Sequence, residues 1–338
     1  MMKPTKQYDP PEVAVVITTC NRPQFLHDAI ESAVGQRFDG RIEIVVVDDG
    51  STDHTARVVQ PYTQRYDDPN ASVWVRYVYQ KNQGLATARN TGIQHTTAPF
   101  IAFLDDDDLF EPQKLQLQVN KMRADANVGL VHTSFRYVDK NGNFSDEGPQ
   151  RVNNPCVGHC LDVLLHELLV ISSTVLVRRQ TLGQAAEAEP HGLPYDPKWQ
   201  RSQDYDMTLR IARLSKFAYI NTPQLRYRLH DSNIAISPGS MKLAYGYHCR
   251  VQIDFVRRYG HEIGIDESEA KRRAAAFLLG RVESNFWKRQ FQIARDLCDL
   301  ARELQLYDAH FTEFERRARR PMWIYHLKDQ FDRITGRA

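Results

Sequence analysis

Between residues 13 and 104 the sequence alternates short β-branched runs with amphipathic stretches, and this alternation restricts the chain to a sheet wrapped by helices. The strand-like runs are residues 13–19, 42–47, 73–79 and 100–104. The stretches between them, 23–34, 53–66 and 84–95, each open on a capping or turn residue and read as helices. The pattern predicts an α/β fold built on an open, mainly parallel sheet flanked by helices. In such sheets ligands collect beyond the carboxyl ends of the strands, where the strand order reverses. Function is therefore expected in segments 18–21, 48–53, 80–84 and 105–108.

Further along the pattern becomes mixed. A helix is expected over residues 112–124, then a strand over 128–138, a turn at Lys140-Asn141-Gly142-Asn143 and a return beginning at Phe144. An apolar run at 170–177 precedes a polar loop at 183–194, a helix opening near Asp204 and two short strands ending about Arg228. From Pro238 the apolar residues, among them Phe255, Phe277, Phe286, Ile293, Leu297 and Leu304, recur at helical spacing. These shifts predict a sheet domain over 12–237, with halves at about 12–125 and 126–237, and a helical C-terminal region over 238–338.

Charge and cysteine content narrow the function. Forty-four basic against 42 acidic residues leave a formal net charge of +2 in 338 residues, so no whole-molecule field draws in nucleic acid. The five cysteines are scattered and odd in number, as reduced thiols are. Cys156, His159, Cys160 and His166 lie close together, but without a matching second half they read as buried or loop thiols rather than a zinc cluster. No apolar run approaches the ~20 residues that cross a bilayer, and the first residues carry no apolar signal stretch. A cytoplasmic location is expected.

The residues with the most chemistry are Asp105, Asp106, Asp107 and Asp108, which directly follow an apolar strand. Four carboxylates repel unless water solvates them or a cation is shared. Mg²⁺ and Mn²⁺ take oxygen ligands, commonly one or two carboxylates together with substrate phosphates, and a diphosphate supplies those phosphates. The competing reading is a solvated acidic turn capping the next helix. A second acidic cluster, Asp48-Asp49-Gly50-Ser51-Thr52-Asp53, suits a helix cap, or a nucleoside pocket completed by Thr18 and Asn21. A third segment, Gly84-Leu85-Ala86-Thr87-Ala88-Arg89-Asn90-Thr91-Gly92, offers small residues for close approach and Arg89 for a diphosphate, with a surface ion pair as the alternative.

Taken with Ile17-Thr18-Thr19-Cys20-Asn21-Arg22, these segments occur in an order and spacing that resembles the family 2 glycosyltransferases of the GT-A fold, over roughly the first two-thirds of the chain. The resemblance implies inverting transfer of a sugar from a nucleotide-diphosphate donor, with Mn²⁺ or Mg²⁺ as cofactor. It implies that Thr18 and Asp49 contact the nucleoside. It makes Asp105, Asp106 and Asp107 the Asp-x-Asp element, with Asp107 on the metal and Asp105 or Asp106 nearer the ribose and sugar.

Gln203-Asp204-Tyr205-Asp206-Met207 resembles the acceptor-side motif, which makes Asp204 the catalytic base; Asp206 is a competing candidate, although two residues along a helix turn it away from Asp204 and toward a structural role. Family members often have Glu where this chain has Gln203, so Asp204 lacks one like-charged neighbour that would raise its pKa. Tyr227-Arg228-Leu229-His230 resembles the segment that closes over the diphosphate. His230 is then a metal ligand, and Arg228 either assists at the phosphates or forms a structural ion pair. The expected acceptor is a carbohydrate or lipid-linked molecule of cell-surface polysaccharide or glycolipid assembly. Basic residues followed by Trp323 and Tyr325 suit either peripheral contact with the inner membrane face or a packed helix end. A sugar-1-phosphate nucleotidyltransferase is the nearest rival, although Thr18-Thr19-Cys20-Asn21-Arg22 contains none of the glycine that such enzymes place in their phosphate loop. A non-catalytic sugar-nucleotide-binding protein is the other.

Overall fold

All seven residues of the first strand, Val13–Thr19, are buried, because it lies inside the sheet with a parallel neighbour on each side. The computed structural model describes residues 10–150, 155–166, 170–230 and 238–319. It divides into two compact units, Met1–Asn233 and Ile234–Ala338. The boundary expected at Ser237 lies outside the described residues.

The first unit runs β1 (Val13–Thr19), α1 (Pro23–Val34), β2 (Ile42–Asp49), α2 (Thr55–Arg65), β3 (Val73–Gln80), α3 (Leu85–Gln94), β4 (Phe100–Asp105), β5 (Leu109–Phe110) and α4 (Lys114–Ala124). It continues with β6 (Val128–Val138), β7 (Phe144–Gln150), α5 (Leu161–Leu164), β8 (Leu176–Arg178), α6 (Arg179–Glu187), α7 (Gln203–Leu214) and β9 (Lys216–Arg228). The sheet order is β3-β2-β1-β4-β8-β6-β9-β5, with β7 on β6. The long pairings, β1 with β2 and β4, β2 with β3, and β6 with β9, are parallel; those of β8, β5 and β7 are antiparallel and short. The expected α/β class with a mainly parallel sheet is the observed one.

Strand alternation sorts β1 between two layers. Val13, Val15 and Ile17 pack with Leu26, Ala29 and Ile30 of α1, Val59 of α2 and Leu115 and Val119 of α4. On the other face α3 comes so close that a Cβ on Gly92 would lie 2.3 Å from Val16 Cγ1. Order reverses at β1: β2 and β3 extend to one side and β4 returns on the other. Thr18 and Asp105, partners in the register, stand at this reversal, where a ligand crevice is expected.

Three local readings differ from the structure. The loop expected from residue 183 starts later, because Leu182, Ala185 and Ala186 give α6 a buried face that outweighs Gly183. The two short strands before Arg228 are one, β9, whose Pro223 sits where the register with β6 shifts; an irregularity there absorbs the missing N–H. Of the run 170–177, only its end enters β8, after a 3₁₀ turn over Ser172–Thr174.

The second unit is helical: α8 (Pro238–Ile263), α9 (Glu267–Trp287), α10 (Phe291–Glu303) and α11 (Ala309–Ala318). Asp266 and Asp308 cap α9 and α11 by accepting backbone N–H bonds. Phe255, Phe277, Phe286, Ile293 and Leu297 are buried as their spacing predicts, and Leu304 is half-buried. Of the basic segment before Trp323, Arg317 pairs with Glu313 and Arg319 with Glu315 of the same helix, and residues 320–338 lie outside the described set. No helix among the described residues is long and apolar enough to cross a membrane.

Because Val16 is β-branched and fixed in the sheet, Gly92→Ala should cost about 1–3 kcal/mol, read as a lower urea midpoint with unchanged slope. Burial lowers the pKa of His132 to about 4 and that of His248 to about 3, the latter helped by Arg281. The unfolded chain therefore takes up these protons first, so their contribution is complete above about pH 6.5 and is lost as the pH falls towards 4. Thermal melting should move down across that window, and His132→Phe and His248→Phe should each flatten the decline.

Candidate active site

The carboxyl ends of four neighbouring parallel strands build one rim. Thr18 is level with Val47 and Asp105, Thr19 with Asp48, and Asp49 with Gln80. Beyond β2 the chain must turn sharply at Gly50, whose φ is +83° and where a Cβ would lie 2.6 Å from Asn82 N. Asp48 holds this turn, accepting from Ser51 N at 2.7 Å and from Tyr77 Oη at 2.6 Å.

The expected nucleoside residues have local partners here. Asp49 Oδ1 accepts from Gln80 Nε2 at 2.7 Å and Gln83 N at 2.9 Å, and its Oδ2 from Gly84 N at 2.9 Å. These bonds fix the approach to α3 and leave the carboxylate little spare acceptor capacity. Asn21, in the left-handed region at φ 54°, donates its N–H to Ser51 Oγ at 2.8 Å and accepts from Thr52 N at 2.9 Å. It joins the loops after β1 and β2. Thr18 is buried on the floor between them.

The four aspartates form a turn between β4 and β5, closed by Asp108 N donating to Asp105 O at 3.1 Å. Asp105 remains partly exposed, whereas Asp106, Asp107 and Asp108 are buried. Burial, then repulsion from Asp107, raises the pKa of Asp106 to about 7 against the pull of Arg22. Burial and Asp105 raise that of Asp107. Arg22 Nη1 reaches Asp107 Oδ2 at 3.0 Å and Asp106 Oδ1 at 3.4 Å. The same Asp107 oxygen lies 3.0 Å from His230 Nε2, so β9 delivers His230 to the third aspartate. Among the described residues no three His, Cys, Asp or Glu side chains converge as a ready metal cage. Asp107 and His230 nevertheless supply one hard and one borderline donor beside under-neutralised buried carboxylates, which fits a cation completed by phosphate oxygens and water.

The sequence did not reveal two supports of this turn. Asp108 accepts from Arg228 N at 3.1 Å, fixing the end of β9. Ser173, fully buried in the 3₁₀ turn, accepts from Asp105 N at 3.1 Å. That turn is itself held by Gln118, whose Nε2 reaches Thr174 O at 2.8 Å. A single serine in a run of small residues carries no pattern, so only the fold exposes its part.

Arg228 takes part in the ion pair that was one of its two expected roles. It is buried, and its guanidinium donates to Asp107 O at 2.9 Å, Lys140 O at 2.8 Å and Asp28 Oδ2 at 2.9 Å, so the structural ion pair is what is observed. Arg89 also lies deeper than expected. Burial opposes its charge, but Asp105, whose Oδ1 it meets at 2.7 Å, more than compensates. Its carbon Cζ stands 5.4 Å from the Tyr195 ring centre, and its Nη1 has no hydrogen-bond partner among the described residues.

Asp204, in the first turn of α7, comes to the same place from the second half of the sheet unit. Burial raises its pKa, Arg89 draws it back and Asp105 pushes it up again, so the like charge missing at Gln203 is replaced from β4. Asp206 turns the other way. It is fully buried and meets Arg210 at 2.8 Å from Nη2, and Arg210 also donates to the carbonyls of Ala185, Leu193 and Pro194.

Residues 14–175 match the family model for glycosyl transferase family 2. Over this segment the chain is similar to glycosyltransferase family 2. A chondroitin synthase of Escherichia coli is 27% identical over 226 residues, which are 67% of this chain and 30% of that protein. An uncharacterized glycosyltransferase of Methanocaldococcus jannaschii is 26% identical over 72% of this chain and 79% of its own length. Among solved structures, Staphylococcus aureus TarS 1–349 in complex with UDP-GlcNAc superposes with a TM-score of 0.56 at 16% identity, covering 90% of this chain and 83% of that one. A mannosyltransferase of Pyrobaculum calidifontis in complex with GDP-Man and Mn²⁺ gives 0.54 at 18% identity, covering 92% and 85%. The chain thus has the GT-A fold, with helices following the sheet in sequence, and it spans only 30% of the chondroitin synthase and half of the longer TarS chain.

The Ser173 hydroxyl holds the β4 end of the aspartate turn. Ser173→Ala should destabilise the protein by about 1–3 kcal/mol by leaving Asp105 N unpartnered, measured by urea denaturation.

Proposed function

We propose that the chain transfers a sugar, with inversion, from a nucleotide-diphosphate sugar to an acceptor hydroxyl, and that residues 12–237 form the catalytic domain. The single observation that carries this reading is that Asp204 shares the electrostatic surroundings of Arg89 and Asp105 at the end of β4. A base and a diphosphate site can then serve one crevice. In this reading Thr18, Asn21 and Asp49 line the nucleoside, Asp105 and Asp106 the ribose and sugar, and Arg89 meets the donor through Nη1.

Inversion needs one displacement. The acceptor oxygen bonds to the anomeric carbon as the bond to the diphosphate breaks, and Asp204 takes the acceptor proton. A carboxylate whose pKa is raised by burial is a stronger base than an exposed one and so is suited to that task. Asp107 and His230 would hold a divalent cation, Mn²⁺ or Mg²⁺, and that cation would supply charge stabilisation for the departing diphosphate so that no acid is needed there. Arg22 adds a second positive charge on the same side.

The acceptor is proposed to be a growing carbohydrate or a lipid-linked molecule of cell-surface polysaccharide or glycolipid assembly. The helical region 238–338 is proposed to serve acceptor or membrane placement, with segment 316–325 meeting anionic headgroups.

Asp204→Asn should lower the rate of sugar transfer, or of the slower donor hydrolysis to nucleoside diphosphate, by roughly 10²–10⁴-fold. Donor affinity, measured by calorimetry with Mn²⁺, should change less than about threefold, since the substitution is isosteric. Full turnover by the variant removes Asp204 from the mechanism; release of pyrophosphate in place of nucleoside diphosphate identifies a nucleotidyltransferase instead.

A further inference from the structure

We infer that Arg22 is the resident counter-cation of the aspartate turn: it holds in the free enzyme the seat that a divalent ion takes, and passes to the diphosphate when that ion enters. This rests on the metal-assisted reading above and adds an exchange of cations to it.

The observations concern one oxygen. Asp107 Oδ2 lies 3.0 Å from Arg22 Nη1 and 3.0 Å from His230 Nε2. The guanidinium also spans to Asp106 Oδ1 at 3.4 Å, so a single planar cation bridges two neighbouring buried carboxylates. Its side chain keeps 25% of its exposure and is rooted at the N-terminal boundary of α1, where it has solvent to move into. Arg228 and Arg89, the other guanidiniums at this rim, are both more deeply buried in ion pairs.

A divalent ion bound to Asp107 and His230 cannot coexist with this arrangement. His230 must present a lone pair rather than an N–H at Nε2, which breaks its bond to Asp107. Arg22 faces an ion of twice its charge at the same oxygen, and repulsion drives the guanidinium off. A diphosphate arriving with the ion offers a planar, bidentate acceptor within reach of a displaced arginine. Removing the charge should therefore have two effects of opposite sign: metal alone binds better, and diphosphate binds worse. General damage to the site would weaken both.

The test is an electron paramagnetic resonance titration of free Mn²⁺ with the full chain at pH 8, without nucleotide, for the wild type, Arg22→Gln and Arg22→Lys. Arg22→Gln should bind Mn²⁺ about tenfold more tightly than the wild type, the loss of one competing charge-assisted contact, while Arg22→Lys stays near the wild-type value. In saturating Mn²⁺, calorimetry with UDP and with GDP should show the better-binding nucleotide weakened about tenfold by Arg22→Gln. Should Arg22→Gln lower the melting temperature, Arg22→Met keeps the alkyl packing and makes the same comparison. Metal binding by the neutral variants that is equal to or weaker than wild type overturns the exchange. Failure of the wild type to bind Mn²⁺ even with UDP or GDP present removes the metal reading, and the exchange with it.

Discussion

Burial of carboxylates at the end of β4 is the constraint around which the rest of the sheet unit is organised. Two like charges about 4 Å apart cost about 4 kcal/mol at an effective dielectric of about 20, which is comparable with the whole net stability of a domain, about 5–15 kcal/mol. The turn from Asp105 to Asp108 persists because each carboxylate has been assigned a separate compensation. Arg89 neutralises Asp105, Arg22 bridges Asp106 and Asp107, His230 adds a donor to Asp107, and Asp108 accepts from the backbone of Arg228. These partners come from α3, the N-terminal boundary of α1 and the end of β9, so neutralising one turn draws the two halves of the sheet together.

The same requirement explains why the site is both stable and reactive. Asp106 and Asp107 have raised pKa values because burial outweighs the cations beside them. Such carboxylates gain from additional positive charge, and in the proposed function a divalent cation with the donor diphosphate supplies it. Arg228 and Asp206 show the alternative outcome: each is a charged residue of a functional motif whose partners are fixed, Arg228 by Asp28 and two carbonyls, Asp206 by Arg210. Both tie neighbouring segments of the sheet unit together.

Much of the fold could be read from the sequence because β-branched runs buried on both faces are hard to mistake. The strands from Val13 to Phe100 and the helices between them follow that pattern closely. Failures came where tertiary contacts outweigh local signals: Gly183 lies within α6 because its neighbours pack, and β9 continues through Pro223 because an irregular pairing tolerates it. At the site, Asp107 and His230 are brought together across 123 residues, as the motif resemblance implied. Ser173, Arg22's bridging contact and the burial of Arg89 and Arg228 were not legible, since residue type alone does not say whether a guanidinium faces solvent, a ligand or a carboxylate.

The central claim is that Asp107 and His230 together hold a divalent ion against a diphosphate. Electron spin echo envelope modulation of Mn²⁺ bound with UDP or GDP tests it most directly, because a coordinated imidazole imposes a nitrogen modulation on the manganese signal. The account predicts that this modulation is present in the wild type and absent in His230→Gln. Bound manganese without imidazole modulation in the wild type would contradict it.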